Sequence, residues 1–251
     1  MRVSKIDPRV LVNPGLSTSD LGRSLLCFSA MAVLTYIREN DYIELTKIGA
    51  FNRRFVNWAV DTFLWPGCTR DELLKYNKVL NEKDVQPVHF LHDLLVDARL
   101  IRHAGSRAVL TKKGAQHLQN SGRLQVTLFD AFLTIFDFSA HEGFEFNIGD
   151  IDYAHCLGVA SNRADDWIGV PELTNLCLPV PYLVSQGLTT EEFAMFCIYS
   201  RMVRPLLWLG LVETDEPMRY PPVSTIKLRK TKLFDRFLAF DFPDPRSKTR
   251  H

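Results

Sequence analysis

Basic residues are nearly missing from the middle of this 251-residue sequence. Between 130 and 200 only Arg163 is cationic, against eleven Asp and Glu, while both flanks carry more Lys and Arg than acids. The net charge is only +1, so any attraction to a polyanion belongs to the ends. The acidic middle, 130–200, suits a protein partner, self-association or a solvated loop region. Long apolar runs are missing too. Leu25 to Ile37 and Leu124 to Phe138 are broken by polar groups and fall short of the roughly 20 residues a membrane span needs. Met1 to Pro14 has no continuous apolar stretch and does not read as a signal peptide. The five cysteines are odd in number and form no CxxC, which suits buried thiols in a cytoplasmic protein rather than a disulfide or metal framework. There is no nucleophile elbow and no phosphate-cradling glycine loop. The expectation is therefore no enzyme, no catalytic residue, no cofactor and no metal.

What the sequence does contain is an echo. Ile43 to Phe55, Val109 to Ala115 and Ile226 to Phe237 each read as a short strand, a Thr or Arg at a turn, a Lys, and then a helix. In the first, Thr46 is expected to cap a helix from Lys47 to about Phe63, with Ile48, Phe51, Phe55, Ala59 and Phe63 on the core face. Upstream, Ser17 to Asp20 is expected to cap a buried helix over Leu21 to Ile37, with Leu25, Phe28, Ala32 and Ile37 along one stripe. Thr69 and Glu72 form a capping box. Pro87 suits the first turn of a helix ending near Ala98. Leu100 to His103 and Arg107 to Leu110 flank a glycine-containing turn and predict a β-hairpin.

Beyond Gly122, Leu124 to Phe138 predicts an aromatic helix, and Glu142 to Val180 an acidic, turn-rich segment anchored by Trp167. Thr189 to Glu192 predicts another capped helix. Leu211 to Thr214 and Ser224 to Leu228 would form a second hairpin with Asp215 to Val223 as its tip. The fold class is thus mainly α with short β-hairpins. Two winged-helix-bearing halves are expected, at about 1–122 and 123–251, the second carrying an acidic insert over about 139–185.

The segment Ala98 to His117, with its Leu110-Thr111-x-x-Gly114 motif, resembles the winged-helix units of bacterial regulators of the MarR and PadR type. The Asn52-Arg53-Arg54 helix and the aromatic helix at Leu128 to Phe138 look like a group of uncharacterised plasmid-associated bacterial proteins. The first resemblance implies a helix–hairpin–helix fold. The second brings no catalytic or binding residue. In the third copy Arg229 aligns with the motif's Thr and Lys232 with its Gly, which departs from the pattern.

Four candidate sites follow. A nucleic-acid surface would use Lys47, Arg53, Arg54 and Asn57 on one helix face, Arg107, Lys112 and Lys113 beside the first wing, and Arg229, Lys230 and Lys232 beside the second. Arg53 and Asn57 would be its base-facing members. Against it, the helix in the reading position presents His89, His92, Asp93 and Asp97, whose carboxylates repel phosphate. His89-x-x-His92 with Asp93 has one helical turn of ligand spacing but no further ligand cluster, so unliganded histidines are the reading taken. His141-Glu142 and His155-Cys156 lack the companions that acid–base or thiol chemistry needs. Phe129, Phe132, Phe136 and Phe138 are read as core rather than as a docking groove. The leading expectation is a regulatory or accessory factor of bacterial, plasmid or phage type that binds double-stranded DNA through its winged-helix units. The alternative is a docking or inhibitor module that contacts proteins alone.

Overall fold

Short β-branched stretches and well-capped helices alternate along the chain, and a computed structural model describes residues 1–142, 151–178, 190–215 and 222–241. Strands β1 (Arg2–Val3) and β2 (Val10–Val12) pair antiparallel. Helix α1 (Leu25–Asn40) starts where the Ser24 hydroxyl accepts the Cys27 amide, a side-chain cap that the Ser17–Asp20 turn does not provide. It starts four residues later than the sequence suggests, and its buried stripe passes through Leu26, Ala30, Val33, Leu34 and Ile37. Phe28 is left 54% exposed.

Strand β3 (Ile43–Glu44) follows, then a correction to the first echo. Thr46 caps no helix. Its amide donates to the Ala50 carbonyl across a tight turn in which Gly49 has φ +85°, and Leu45 bridges Phe51. Ile48 sits at the tip, 90% exposed, and Lys47 lies in the turn rather than on a helix face. Helix α2 (Arg53–Phe63) begins only at Asn52, whose side-chain oxygen accepts the Phe55 amide.

Thr69 and Glu72 form the expected capping box of α3 (Arg70–Leu74), and a 3-10 turn at Glu82–Asp84 leads into α4 (Gln86–Asp97). The hairpin of β4 (Ile101–Ala104) and β5 (Arg107–Leu110) pairs in register, with Arg107 opposite Ala104 and Leu110 opposite Ile101. Strand β3 adds to the other edge of β5, giving the order β3-β5-β4. The first two echoes are therefore not separate wings but one sheet.

Helix α5 (Lys112–His117) closes this unit and α6 (Ser121–Thr134) follows. Past α7 (Ser139–Glu142), the part of the acidic segment that is described is helical rather than turn-rich: α8 (Tyr153–Arg163), strand β6 (Ile168–Gly169) and α9 (Val170–Cys177). Trp167 is no buried anchor; it is 42% exposed beneath Arg229. Helix α10 (Thr190–Ile198) passes through a π-helical turn at Tyr199–Val203 into α11 (Arg204–Trp208). Strands β7 (Val212–Thr214) and β8 (Lys227–Lys230) pair, and β6 joins β8, giving the order β6-β8-β7. The chain ends its described course in α12 (Lys232–Phe237) and β9 (Leu238–Phe240), which returns to pair with β2. The capping residue expected at 189, most of the second hairpin's tip and the tail from 243 lie outside the described residues.

The same order of helix, strand, three helices, hairpin and helix thus occurs twice, and it repeats down to single hydrogen bonds. Leu100 donates to the Leu95 carbonyl and Leu211 to that of Leu206, both at 2.8 Å. The residues just before them, Arg99 and Gly210, have φ +56° and +72°. Thr111 Oγ1 donates to the Arg99 carbonyl and Thr231 Oγ1 to that of Gly210, both at 2.7 Å. The structural partner of Thr111 is therefore Thr231, two residues beyond the Arg229 of the sequence alignment. The third echo keeps its threonine in a shifted register.

Helix accounts for about 54% of the structure and each sheet among the described residues has three strands, so the fold is mainly α with short β-hairpins. Helix α6 packs against α1, α4 and α11. Within it Gln125, fully buried, accepts from the Ser24 hydroxyl and donates to the Leu209 carbonyl. Gly122 lies in its first turn, so the boundary expected at 122/123 falls inside a helix. One continuous apolar core runs through both halves, and Phe129, Phe132, Phe136 and Phe138 are all buried in it. Among the described residues no helix is long and apolar enough to cross a membrane.

Candidate functional site

The turn at 46–50, the 3-10 turn at 82–84 and the exposed side of α4 enclose a cavity of about 1000 Å³, lined by Lys47, Phe51, Arg53, Glu82, Lys83, His89, His92, Asp93 and His103 among others. Its floor is built around Glu82, which is 4% exposed. One Glu82 oxygen accepts the Phe51 amide at 2.5 Å and contacts His92 Nδ1 at 2.8 Å; the other faces His89 Nδ1 at 3.2 Å. Burial alone would raise the Glu82 carboxyl, but the two imidazoles and the Phe51 amide prevail and hold it at about 2. The same contact raises His89, against a smaller opposing effect of burial. The His92 ring stacks on Phe51 at 3.8 Å, and its Nε2 lies 2.9 Å from His103 Nε2. Burial, with His92 beside it, pulls His103 down.

Behind this wall His141 on α7 approaches Asp93, Nε2 to Oδ2 at 3.0 Å, and its ring lies 4.4 Å from that of His89. His89 and His92 do not face a common point, because His92 turns back to Glu82 and His103. The grouping the structure makes is His89, Asp93 and His141, and no spacing in the sequence joins His141 to the other two.

The ten expected nucleic-acid residues fall into two classes. Lys47, Arg53, Arg54 and Arg107 are exposed around β3 and the turn after it. Lys47 and Arg53 line the cavity, Arg54 lies beside Tyr42 and Glu44, and the Arg107 guanidinium covers the Tyr42 ring at 4.2 Å. Arg53 Nε donates to Asn81 Oδ1 at 2.9 Å. Lys112 and Lys232 are exposed as well. The other four are engaged by neighbouring groups, Arg229 while still exposed. Asn57 donates to the Arg53 carbonyl and accepts from Arg70 Nη1, both at 2.7 Å, so its amide is used internally. Lys113 donates to the Ala98 carbonyl at 2.6 Å, and burial draws its pKa down. Arg229 pairs with Glu213 at 2.7 Å, and Lys230 lies 3.0 Å from both Asp165 and Asp235. Two further exposed cations are Lys83, which lines the cavity, and Arg102 on β4.

Helix α4, which precedes the hairpin, buries Pro87, Val88, Phe90, Leu91, His92, Leu94 and Leu95. Only a narrow strip containing His89, Asp93 and Asp97 is reachable. A separate apolar groove of about 720 Å³ runs along α1 and α2 and includes Phe28, Met31, Trp58 and Leu64.

Residues 22–123, the first unit with the start of α6, match the family model of the Y4jL N-terminal domain. Over 85 residues the chain is 41% identical to the uncharacterised protein y4jL of Sinorhizobium fredii (strain NBRC 101917 / NGR234), a match covering 34% of this chain and 39% of that protein. The chain therefore spans well under half the length of this relative. No solved structure matches.

Proposed function

We propose that the two repeated units are winged helices and that the first binds duplex DNA through its cationic edge, with no enzymatic step. The observation that carries the reading is the grouping of Lys47, Arg53, Arg54 and Arg107 about β3, with Lys83 on the same cavity as Lys47 and Arg53, against Glu44 as the exposed carboxylate of that strand. The element order and the strand order β3-β5-β4 fit a winged helix. Because α4 is buried on most sides and presents Asp93 and Asp97, it does not enter a groove. Binding is then phosphate-directed and weakly sequence-selective. Asn57 contributes to the fold rather than to base reading. Fluorescence anisotropy with a labelled duplex tests this. Binding should fall with added salt and weaken when Arg53 and Arg54 are both changed to Ala. Affinity indifferent to both would refute it.

A second reading rests on the apolar groove, where Phe28 is 54% and Leu64 73% exposed. Exposed large apolar side chains gathered in one place suit a protein contact. In this reading the chain is a docking module that self-associates there, with no role for DNA. Sedimentation equilibrium should show a concentration-dependent dimer that Phe28→Asp abolishes. A monomer at every concentration removes it.

A further inference from the structure

Three side chains from two elements converge beside the cavity: His89 and Asp93, one turn apart on α4, and His141 on α7. One nitrogen from each imidazole and one carboxylate oxygen all lie within 4.8 Å of one another. We infer that His89, Asp93 and His141 bind a divalent transition-metal ion of the zinc class, a role that goes beyond the DNA-binding reading and is independent of it.

The donor set is the first reason. Two imidazoles and one carboxylate suit Zn²⁺, Co²⁺ or Ni²⁺ far better than Mg²⁺ or Ca²⁺, which prefer oxygen alone. The second is preorganisation. Glu82 engages His89 at Nδ1, leaving Nε2 for an ion, and Glu82 is itself fixed by the Phe51 amide and His92. A carboxylate behind a ligating imidazole is how metal-bound histidines are oriented.

His141 is equally constrained. Its side chain is 2% exposed, and its ring packs 4.1 Å from Phe90 and stacks 5.0 Å from Phe136. The third reason is an unmet need: among the described residues His141 Nδ1 is buried with no hydrogen-bond partner. A buried imidazole nitrogen left unpaired is costly, and an ion bound at Nδ1 would supply the missing partner.

Ligand atoms around a tetrahedral ion at bond lengths of about 2.0–2.1 Å stand roughly 3.3 Å apart. From spacings of up to 4.8 Å the three groups need to close by at most about 1.5 Å, and Asp93, which is 45% exposed, has the freedom to do so. Three protein ligands leave a coordination position for water or an exogenous donor. His89 and Asp93 line the cavity, so that position opens into it.

The test uses the full chain, stripped with chelator, titrated with Zn²⁺ by calorimetry and with Co²⁺ by visible absorption. The expected result is one equivalent bound, with Co²⁺ bands of four- or five-coordinate geometry. Asp93→Asn and His89→Ala should each weaken binding by at least about tenfold, and Glu82→Gln should weaken it by about tenfold or more through His89. His155→Ala, at an exposed histidine away from the cluster, should leave it unchanged. His141→Ala should abolish binding while circular dichroism keeps its helical signal; if that variant does not fold, Asp93→Asn at its half-exposed position decides. No saturable binding, or binding that survives Asp93→Asn and His89→Ala, overturns the inference.

Discussion

Glu82 is the residue on which the first unit's polar interior depends. Its carboxylate satisfies one amide and faces two imidazoles from a nearly sealed position. Glu82→Ala leaves those groups without a partner and should cost about 3–5 kcal/mol. Its depressed pKa also sets a sign. The folded value of about 2 lies below the ordinary 4.5, so the stability it contributes is present above pH 4.5 and lost as pH falls towards 2. Melting curves between pH 7 and 3 should show a steeper acid loss for the wild type than for Glu82→Gln. Gly114 is a second such position. A Cβ there would stand 2.1 Å from the Leu100 carbonyl oxygen, so Gly114→Ala should destabilise by about 1–3 kcal/mol. At this chain length that is a fall in Tm of about 2–4 °C per kcal/mol. The Gly of the Leu-Thr-x-x-Gly motif is thus explained by close approach of a helix to the carbonyl of Leu100, the residue just before β4. In the second unit Thr231 keeps the hydroxyl bonds of Thr111, and the residue three beyond it is Phe234, which is buried.

Elements legible in the sequence were those specified by neighbours in the chain. The 101–110 hairpin announces itself through alternation and Gly105 at φ +62°, and Thr69-x-x-Glu72 through reciprocal capping. Elements decided by distant partners were not legible. Ile48 fits a helical stripe by spacing, yet Gly49 and the Leu45–Phe51 bridge make a turn there and leave it in solvent. Strands β1, β2 and β9 are two or three residues each, and β9 gains its identity only by pairing with β2 across the length of the chain. Asp130 on α6 secures that sheet by receiving Arg2, the Ser4 hydroxyl and the Lys5 amide. Asp130→Ala should therefore free the first strands while leaving the two units intact. Hydrogen exchange should quicken at residues 2–12 and 238–240 and stay slow at 101–110; uniform quickening would argue against this local role. The candidate site divides the same way. His89 and Asp93 were visible on one helix, whereas His141 arrives from beyond α6 and no pattern foretold it.

At the scale of the molecule, one architecture is used twice around a shared core, with α6 between the copies. In the second copy two of the cations beside the hairpin are paired, Arg229 with Glu213 and Lys230 with Asp165 and Asp235, while Lys232 is exposed. In the first, Lys113 is held by the Ala98 carbonyl, but Lys47, Arg53, Arg54 and Arg107 are exposed. That asymmetry is why the proposal assigns DNA to one unit only, and the reading helix's burial is why it assigns phosphates rather than bases. The most direct test is the salt dependence of duplex binding. With about five phosphate contacts, log K should fall against log salt with a slope of about −4 to −5. Changing Arg53 and Arg54 to Ala should flatten it by about 2, whereas changing Arg229 and Lys230 should leave it unaltered. A flat salt response, or a slope that depends on Arg229 and Lys230 instead, would contradict the account.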